Sequence, residues 1–444
     1  MTAGAAFIGV ALLATSCTGE VTGGDGDAGP GSADARPDPG IEACPYIGEH
    51  SYADPSDAFF ERTVVVRIDV DMDPADWQYQ LDNPDLEEYR PAAVTFCGER
   101  VDGAGMRFKK STHPAADLEE GYPKNPIILD LNRFAPGQKL RGLRKINLEY
   151  GGDQMLVAER ANWEMLADFG VNVSRVNHAE LHLNGEYVGL FTNVERVDGS
   201  YARYHWGDND GQLYKHSYCG TFTWNGGDPA GYTADPRCYA PVPDDSLTDY
   251  ADLIGVIDVL NNTADPDFEA VFPTVWDIDA WIPTVAALQA LAYGDTPNAN
   301  GNNFYTYYPL GGGVTRLAVW DLDAGYWGEG APCEHPADVI GWDLFRISSC
   351  YGSLPLFERT MAVPAWRQRY LERVRDFLRG PFDPGAFSTR VAAIADQIRA
   401  PLAADPNRRG DDAAWQTSVD ALLQRQAARA ANVRQQLIDQ GVAP

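Results

Sequence analysis

Positive charge is scarce in this sequence. Only 35 lysines and arginines stand against 64 acidic residues, and the formal net charge is −29. A surface of that sign repels nucleic acid and anionic membranes, which excludes binding to either by bulk charge. It leaves room for a local cationic pocket. Long hydrophobic runs are also missing. The most apolar N-terminal stretch, Ala5–Ala14, falls well short of the roughly 20 residues of a membrane-spanning helix. Histidine is sparse, with 7 residues scattered along 444, and no Cys-x-x-Cys occurs, which argues against a zinc site. No repeat recurs at a fixed period, so a solenoid is not expected.

The short apolar run ends in Ala-Thr-Ser-Cys17, the pattern of a bacterial lipoprotein signal with Cys17 as the lipidated residue. One departure is that no Lys or Arg precedes the run. Residues 18–45 are Gly, Asp, Pro and Ala with almost nothing to bury, and are expected to form a disordered linker. Export to the bacterial cell envelope follows as an expectation, with the membrane touched only through a lipid anchor. Setting Cys17 aside leaves Cys44, Cys97, Cys219, Cys238, Cys333 and Cys350. An even number in an exported chain suggests disulfides, and the most local pairing is Cys44–Cys97, Cys219–Cys238 and Cys333–Cys350.

What is present is ample core material, 44% hydrophobic and 11% aromatic. The β-branched Thr63–Val70 reads as a strand, as do Ala92–Cys97, Gly105–Phe108, Pro126–Leu131 and Lys145–Tyr150. Leu156–Phe169 has helical periodicity. His178–Leu183 and Glu186–Val194 flank Asn184-Gly185, a strong hairpin signal because both turn residues need positive φ. Leu213–Lys215 offers one more strand. The first half is thus a mostly antiparallel sheet carrying one main helix. The second half is helical. Trp366, Tyr370, Val374 and Phe377 share a face, as do Val391, Ile394 and Ile398, and Trp415, Val419, Leu422, Val433 and Leu437. The arginines of these helices read as a solvated face. Asp69-Val-Asp71-Met-Asp73 begins like a calcium loop but has Pro74 where glycine is required and Gln80 in place of the closing glutamate. It reads as a strand end and the cap of a short helix, Pro74–Leu81.

Between Tyr293 and Gly328 the chain carries Asp295, an asparagine cluster (Asn298, Asn300, Asn302, Asn303) and the pair Asp321 and Asp323. Phe304–Tyr308 and Leu317–Trp320 read as a hairpin closed over Gly311–Gly313. A hairpin joins its outer ends, which brings these oxygens together. Mg²⁺ takes hard oxygen ligands and shares them with phosphates. Phosphoryl transfer uses a base Asp, a metal Asn and a metal Asp in that chain order. The plain alternative is a turn-rich loop, since Asn, Asp and Gly are ordinary turn residues.

Gln138–Leu148, Ser174–Asp198, Gly211–Lys215, Asp295, Asn302-Asn303-Phe304-Tyr305 and Trp320-Asp321-Leu322-Asp323 follow one another in a set order. That ordered set resembles the spore-coat protein CotH family of atypical, exported protein kinases. The resemblance implies an α+β, protein-kinase-like fold over about 55–440, with a β-rich N-lobe near 60–215 and a mostly helical C-lobe near 245–440. It implies ATP and Mg²⁺ or Mn²⁺ as cofactors, and transfer to Ser or Thr of surface proteins. On it, Asp295 matches the catalytic Asp; Asn303 or Asn302 and Asp321, with Asp323 nearby, match the metal ligands. Glu195 falls where the family chain passes the nucleotide base. Lys124 resembles the phosphate-meeting lysine, with Glu159, or else Glu164, as its helix partner. Arg107–Thr112 departs from the family's Arg-x-x-Gly-Asn-Ser turn, so a catalytically weak or inactive scaffold of the same fold stays open. A metal-dependent hydrolase is disfavoured because no histidine lies between Asp295 and Asp323.

Overall fold

The computed structural model describes residues 52–110, 118–243, 249–323, 325–326, 339–346 and 353–444. Cys17, the linker, Cys44, Cys333, Cys350 and the end of the Arg107–Thr112 turn lie outside them.

The N-terminal half is built on strands β1 (Val65–Met72), β2 (Arg90–Phe96), β3 (Glu99–Phe108), β4 (Ile127–Asp130), β5 (Lys145–Glu149), β6 (Val176–Leu183) and β7 (Glu186–Val194). Helices α1 (Pro74–Asp82), α2 (Asp153–Asp168) and α3 (Gly199–Trp206) interrupt and follow them. The strands close into a barrel in the order β1-β2-β3-β4-β5-β7-β6, sealed by the parallel pairing of β1 with β6. Alternation explains its inside: Val66, Ile68, Val70 and Met72 of β1 point inward, with exposed or half-buried residues between them. They meet Phe96, Met106, Leu129, Ile146 and Phe191 in one apolar cluster. Asn184 and Gly185 turn the β6–β7 hairpin with φ of 51° and 85°. The Asn184 Oδ1 also accepts from the Met72 amide at 2.9 Å, tying the turn to β1. Asp73 caps α1, as the sequence suggests, accepting from the Ala75 amide at 2.8 Å.

The rest of the chain adds β8 (Gln212–His216), α4 (Ala230–Thr233), β9 (Ala240–Val242), α5 (Ala251–Asn262), α6 (Asp265–Val271), α7 (Ile278–Ala290), β10 (Phe304–Tyr308) and β11 (Arg316–Val319). Helices α8 (Pro355–Ala362), α9 (Pro364–Arg379), α10 (Pro384–Ala404) and α11 (Asp412–Asp439) complete it. The expected hairpin is present as β10–β11, with Phe304 opposite Val319. Strand β8, which its sequence position groups with the first half, does not join the barrel. It pairs with β10 in a second sheet of order β11-β10-β8-β9.

The apolar faces of α9, α10 and α11 are buried where periodicity places them. Their arginines are only partly a solvated face. Arg429 is wholly buried and donates to the carbonyls of Gln289 (2.7 Å), Ala290 (2.8 Å) and Trp342 (2.6 Å). It thereby satisfies the orphan Ala290 carbonyl and reinforces the Gln289 carbonyl at the C-terminus of α7, where a cation is also favoured by the helix dipole. Helix α2 has no side-chain cap, and its N-cap is Gly152. Burial holds it instead. Leu156, Val157, Trp163, Met165 and Leu166 are all inside, and each such side chain removed from water contributes about 1.5–3 kcal/mol. The helix is packed between the barrel and α10–α11.

Candidate active site

The site begins at the end of α7. This apolar helix starts at an Asp277 cap, accepting from the Ala280 amide at 2.9 Å, and ends on Arg429. The chain then passes Ala292 at φ 53° and Tyr293 and reaches Asp295. At the mouth of the β10–β11 hairpin the Trp320 amide donates to the Asn303 carbonyl at 2.9 Å, so Asn303 and Asp321 are neighbours across the hairpin. Both lie in the left-handed region, at φ 55° and 61°. Asn and Asp enter that region more readily than other side-chain-bearing residues, yet such conformations persist only where the surroundings enforce them. Here the Tyr293 hydroxyl donates to the Asp321 carbonyl and, at 3.2 Å, to Asp323 Oδ1.

Asp295 sits in a ring of amides. Its Oδ1 accepts from Asn300 and Asn302, each at 2.6 Å, and its Oδ2 accepts from Asn303 at 2.9 Å. Asn303 Nδ2 also reaches Asp321 Oδ2 at 3.4 Å, linking the two carboxylates. Asn302 spends its other end on the Tyr218 amide, which donates to Asn302 Oδ1 at 2.8 Å. Both ends of the Asn302 amide are thus engaged in holding the loop. Asn303, whose nitrogen faces both carboxylates, is the asparagine that stands between Asp295 and Asp321, and its oxygen can be offered to a metal there.

Charge around this cluster is unbalanced. Glu159 on α2 is buried, and burial, then the neighbouring charges of Glu149 and Asp321, push its carboxyl up to about 8. Asp321 is pushed up to about 6, first by burial; Lys109 and Lys215 oppose this and Glu149 and Asp295 add to it. Asp323 is raised well above the carboxylate range, first by burial and then by Asp321 and Glu159. The cations are Lys109, which bonds Glu149 and lies 5.3 Å over the Trp320 ring, and Lys215 on β8. Lys215 is lowered to about 8, first by burial and then by Lys109 and Arg196. Carboxylates raised by one another and by burial are the environment that a divalent cation relieves. Among the described residues no three His, Cys, Asp or Glu ligand atoms converge here. The one such group is Cys219, Asp235 and Cys238, whose sulfurs are joined to each other. A hard-oxygen set without a closed cage suits Mg²⁺ shared with phosphate oxygens.

Lys124 departs from the expected arrangement. Its ammonium, fully buried, bonds Asp405 Oδ2 at 2.6 Å, lies 4.0 Å from Asp153 and stacks 3.8 Å from the Tyr150 ring centroid. Its ion pairs are with Asp405 and Asp153 and not with Glu159, and it borders a cavity of about 480 Å³ with Lys109, Tyr122, Arg409 and Trp415, whose lining does not include Asp295 or Asp321. Glu164, the other partner considered, is held by Arg160 at 2.9 Å and Arg390 at 3.1 Å. Glu195 is bonded by Arg175 at 2.5 Å and His205 at 2.8 Å. The lysine–carboxylate pair beside Asp321 is Lys109–Glu149. Its signal was present in the sequence as Lys109 after the strand ending at Phe108 and Glu149 at the end of the next predicted strand but one, but nothing local says that these ends meet. Lys215 closes the Gly-Gln-Leu-Tyr-Lys segment and faces the same cluster only because β8 joins β10.

Of the predicted disulfides, Cys219–Cys238 is formed, with a Cα–Cα distance of 4.6 Å, and Cys97 is disulfide-bonded. With this geometry in place, the family model described as CotH kinase protein matches residues 120–433, well over half of the chain. Among solved structures, the chain is similar to the crystal structure of a Helicobacter pylori proinflammatory kinase, CtkA. Identity is 8% and the TM-score 0.33, over 67% of this chain and 92% of that one. No curated protein matches.

Proposed function

Because the chain belongs to the CotH kinase family, we propose that it transfers the terminal phosphoryl group of a Mg²⁺- or Mn²⁺-bound nucleotide, ATP first, to Ser or Thr hydroxyls of cell-surface proteins. The observation that carries this is the Asp295–Asn303–Asp321 chain of contacts, with Asn303 bonded to both carboxylates. The bound nucleotide would supply the phosphoryl group, and its ion would neutralise charge on the phosphate oxygens. Asp295 Oδ1 is filled by two amides, but Oδ2 takes only Asn303, and a carboxylate oxygen has two lone-pair sites. The remaining site can hold an acceptor hydroxyl and take its proton. Asn303 Oδ1, Asp321 and Asp323 would hold the ion. Lys109, kept in place by Glu149, and Lys215 provide fixed positive charge for phosphate oxygens. Such transfer rests on positioning and electrostatics more than on covalent chemistry. Export and a lipid anchor at Cys17 belong to the same proposal and would place the acceptors in the envelope.

Incubation with labelled ATP and Mg²⁺ or Mn²⁺ tests it. Transfer to the protein itself or to a Ser-rich acceptor is expected, and Asp295→Asn and Asp321→Ala should each lower it at least about a hundredfold. Absence of transfer together with no nucleotide-induced rise in melting temperature would overturn it and leave a non-catalytic surface protein on this fold.

A further inference from the structure

Strand β8 ends at His216, and the next few residues run without regular structure across the back of the Asp295 loop. Two contacts join them to it. The Tyr218 amide donates to Asn302 Oδ1 at 2.8 Å, and the Gly220 amide donates to the Gly301 carbonyl at 2.9 Å. The fit is close. A Cβ on Gly301, at φ 71°, would lie 3.1 Å from the Gly220 carbonyl carbon, and one on Gly220 would lie 3.1 Å from the Gly301 oxygen. Tyr218 itself is held at φ 64°. Between these two amide donors sits Cys219, bonded to Cys238 just ahead of β9. The Ser217 amide donates to the Arg237 carbonyl at 2.9 Å, and His216 Nδ1 contacts the Cys238 carbonyl at 3.0 Å, so both strands of this bridge are anchored. Asn302 then passes the constraint on through its Nδ2 to Asp295 Oδ1.

We propose that the Cys219–Cys238 disulfide is a positioning element of the active site: it fixes the Tyr218 and Gly220 amides, which hold Asn302 and Gly301, which hold Asp295. The inference rests on the role given to Asp295 above. Both cysteines are half-buried, within reach of a small thiol reductant. A dithiol such as dithiothreitol breaks the S–S bond, delivers two electrons and two protons to the sulfurs, and leaves as a cyclic disulfide. The chain would then lose the covalent closure that restricts the segment, and the loop would keep its fold but not its registration.

The test uses the full chain, oxidised, reduced by dithiothreitol, and as the double variant Cys219→Ser/Cys238→Ser. The variant isolates this bridge, because Cys97 is also disulfide-bonded. Amide hydrogen exchange over residues 299–303 is expected to quicken about tenfold or more in the reduced and variant proteins, with the barrel strands unchanged. The kcat for phosphoryl transfer should fall about tenfold to a hundredfold while the nucleotide KM stays within about twofold, and reoxidation should restore it. Unchanged exchange over 299–303, or exchange that rises equally throughout the barrel, would overturn the proposal. If exchange responds as expected but the oxidised chain transfers no phosphate, the bridge's hold on the loop stands and the transfer reading is what fails.

Discussion

Asp321 is held by opposing demands. Its burial and the charges of Glu149 and Asp295 favour the proton, and Lys109 and Lys215 favour the anion. The balance puts its carboxyl near 6 against an ordinary 3.8. A raised carboxyl contributes stability that is fully present below the ordinary value and is lost as pH rises through the raised one. Relative to the native chain, Asp321→Asn should therefore gain on the order of 2–3 kcal/mol between pH 4 and pH 7. Urea unfolding of both proteins at the two pH values measures it, and a gap that does not change with pH would contradict the assignment. The two lysines separate in the same way. Lys109→Met should raise the nucleotide Kd about tenfold or more, at a smaller cost to the fold than Lys124→Met, because Glu149 is partly exposed and keeps its bond from Asn147 at 2.8 Å. Lys124→Met should leave nucleotide binding alone but cost about 3–5 kcal/mol, because it strands the buried Asp405 carboxylate. Calorimetric titration and denaturant melts distinguish them, and the reverse pattern would restore Lys124 to the phosphates.

At the scale of elements, α7 and the β6–β7 hairpin show how local sequence and distant partners divide the work. The hairpin is specified locally: Gly185 at φ 85° allows the tight turn, and Gly185→Ala should cost about 1–2 kcal/mol without altering the site. Helix α7 is different. It is apolar almost throughout, but its C-terminus, which aims the chain at Asp295, is completed by Arg429 from α11. Arg429→Ala would remove the buried fork that donates to the Gln289, Ala290 and Trp342 carbonyls, leaving Ala290 without its donor in a dry interior while Gln289 keeps the Ala292 amide and Trp342 keeps Gln436, and the expected loss is about 3 kcal/mol. Lysine should not rescue it, since one ammonium cannot span carbonyls arranged for a planar fork. A thermal melt of Arg429→Ala and Arg429→Lys checks both statements.

Across the whole molecule, α10 and α11 bind the halves together. The loop between them sends Asp405 to Lys124 and the Leu190 amide, Asn407 to the Val188 carbonyl, and the Gly410 amide to Asp153. Gly189 makes the first of these possible, since a Cβ there would lie 2.6 Å from the Lys124 chain and 2.8 Å from the Asp405 carboxylate. The C-terminal helices are thus a brace on the barrel as well as a wall of the second core. Truncation after Ala404 should abolish cooperative unfolding of the barrel, not merely of the helical half, as followed by circular dichroism. A barrel that still melts cooperatively on its own would refute the brace.

The sequence by itself determined what is short-range: the inward faces of the strands, the Asn184-Gly185 turn, the apolar stripes of the C-terminal helices, the β10–β11 hairpin that brings Asn303 to Asp321, and the acidic surface. The acidic surface follows from composition, and each of the others from periodicity or turn chemistry over a few residues. The order Asp295, Asn303, Asp321 was legible for the same reason, because a single hairpin assembles it. Only the tertiary structure decided which lysine stands beside that cluster, that Glu195 and Glu164 are spent on arginines, that β1 closes on β6, and that β8 leaves the barrel for β10. The physical reason is distance along the chain. Lys124 and Asp405 are 281 residues apart and Lys109 and Glu149 are 40 apart. Whether such groups meet depends on how the closed barrel and the α10–α11 brace pack, and no local propensity encodes that.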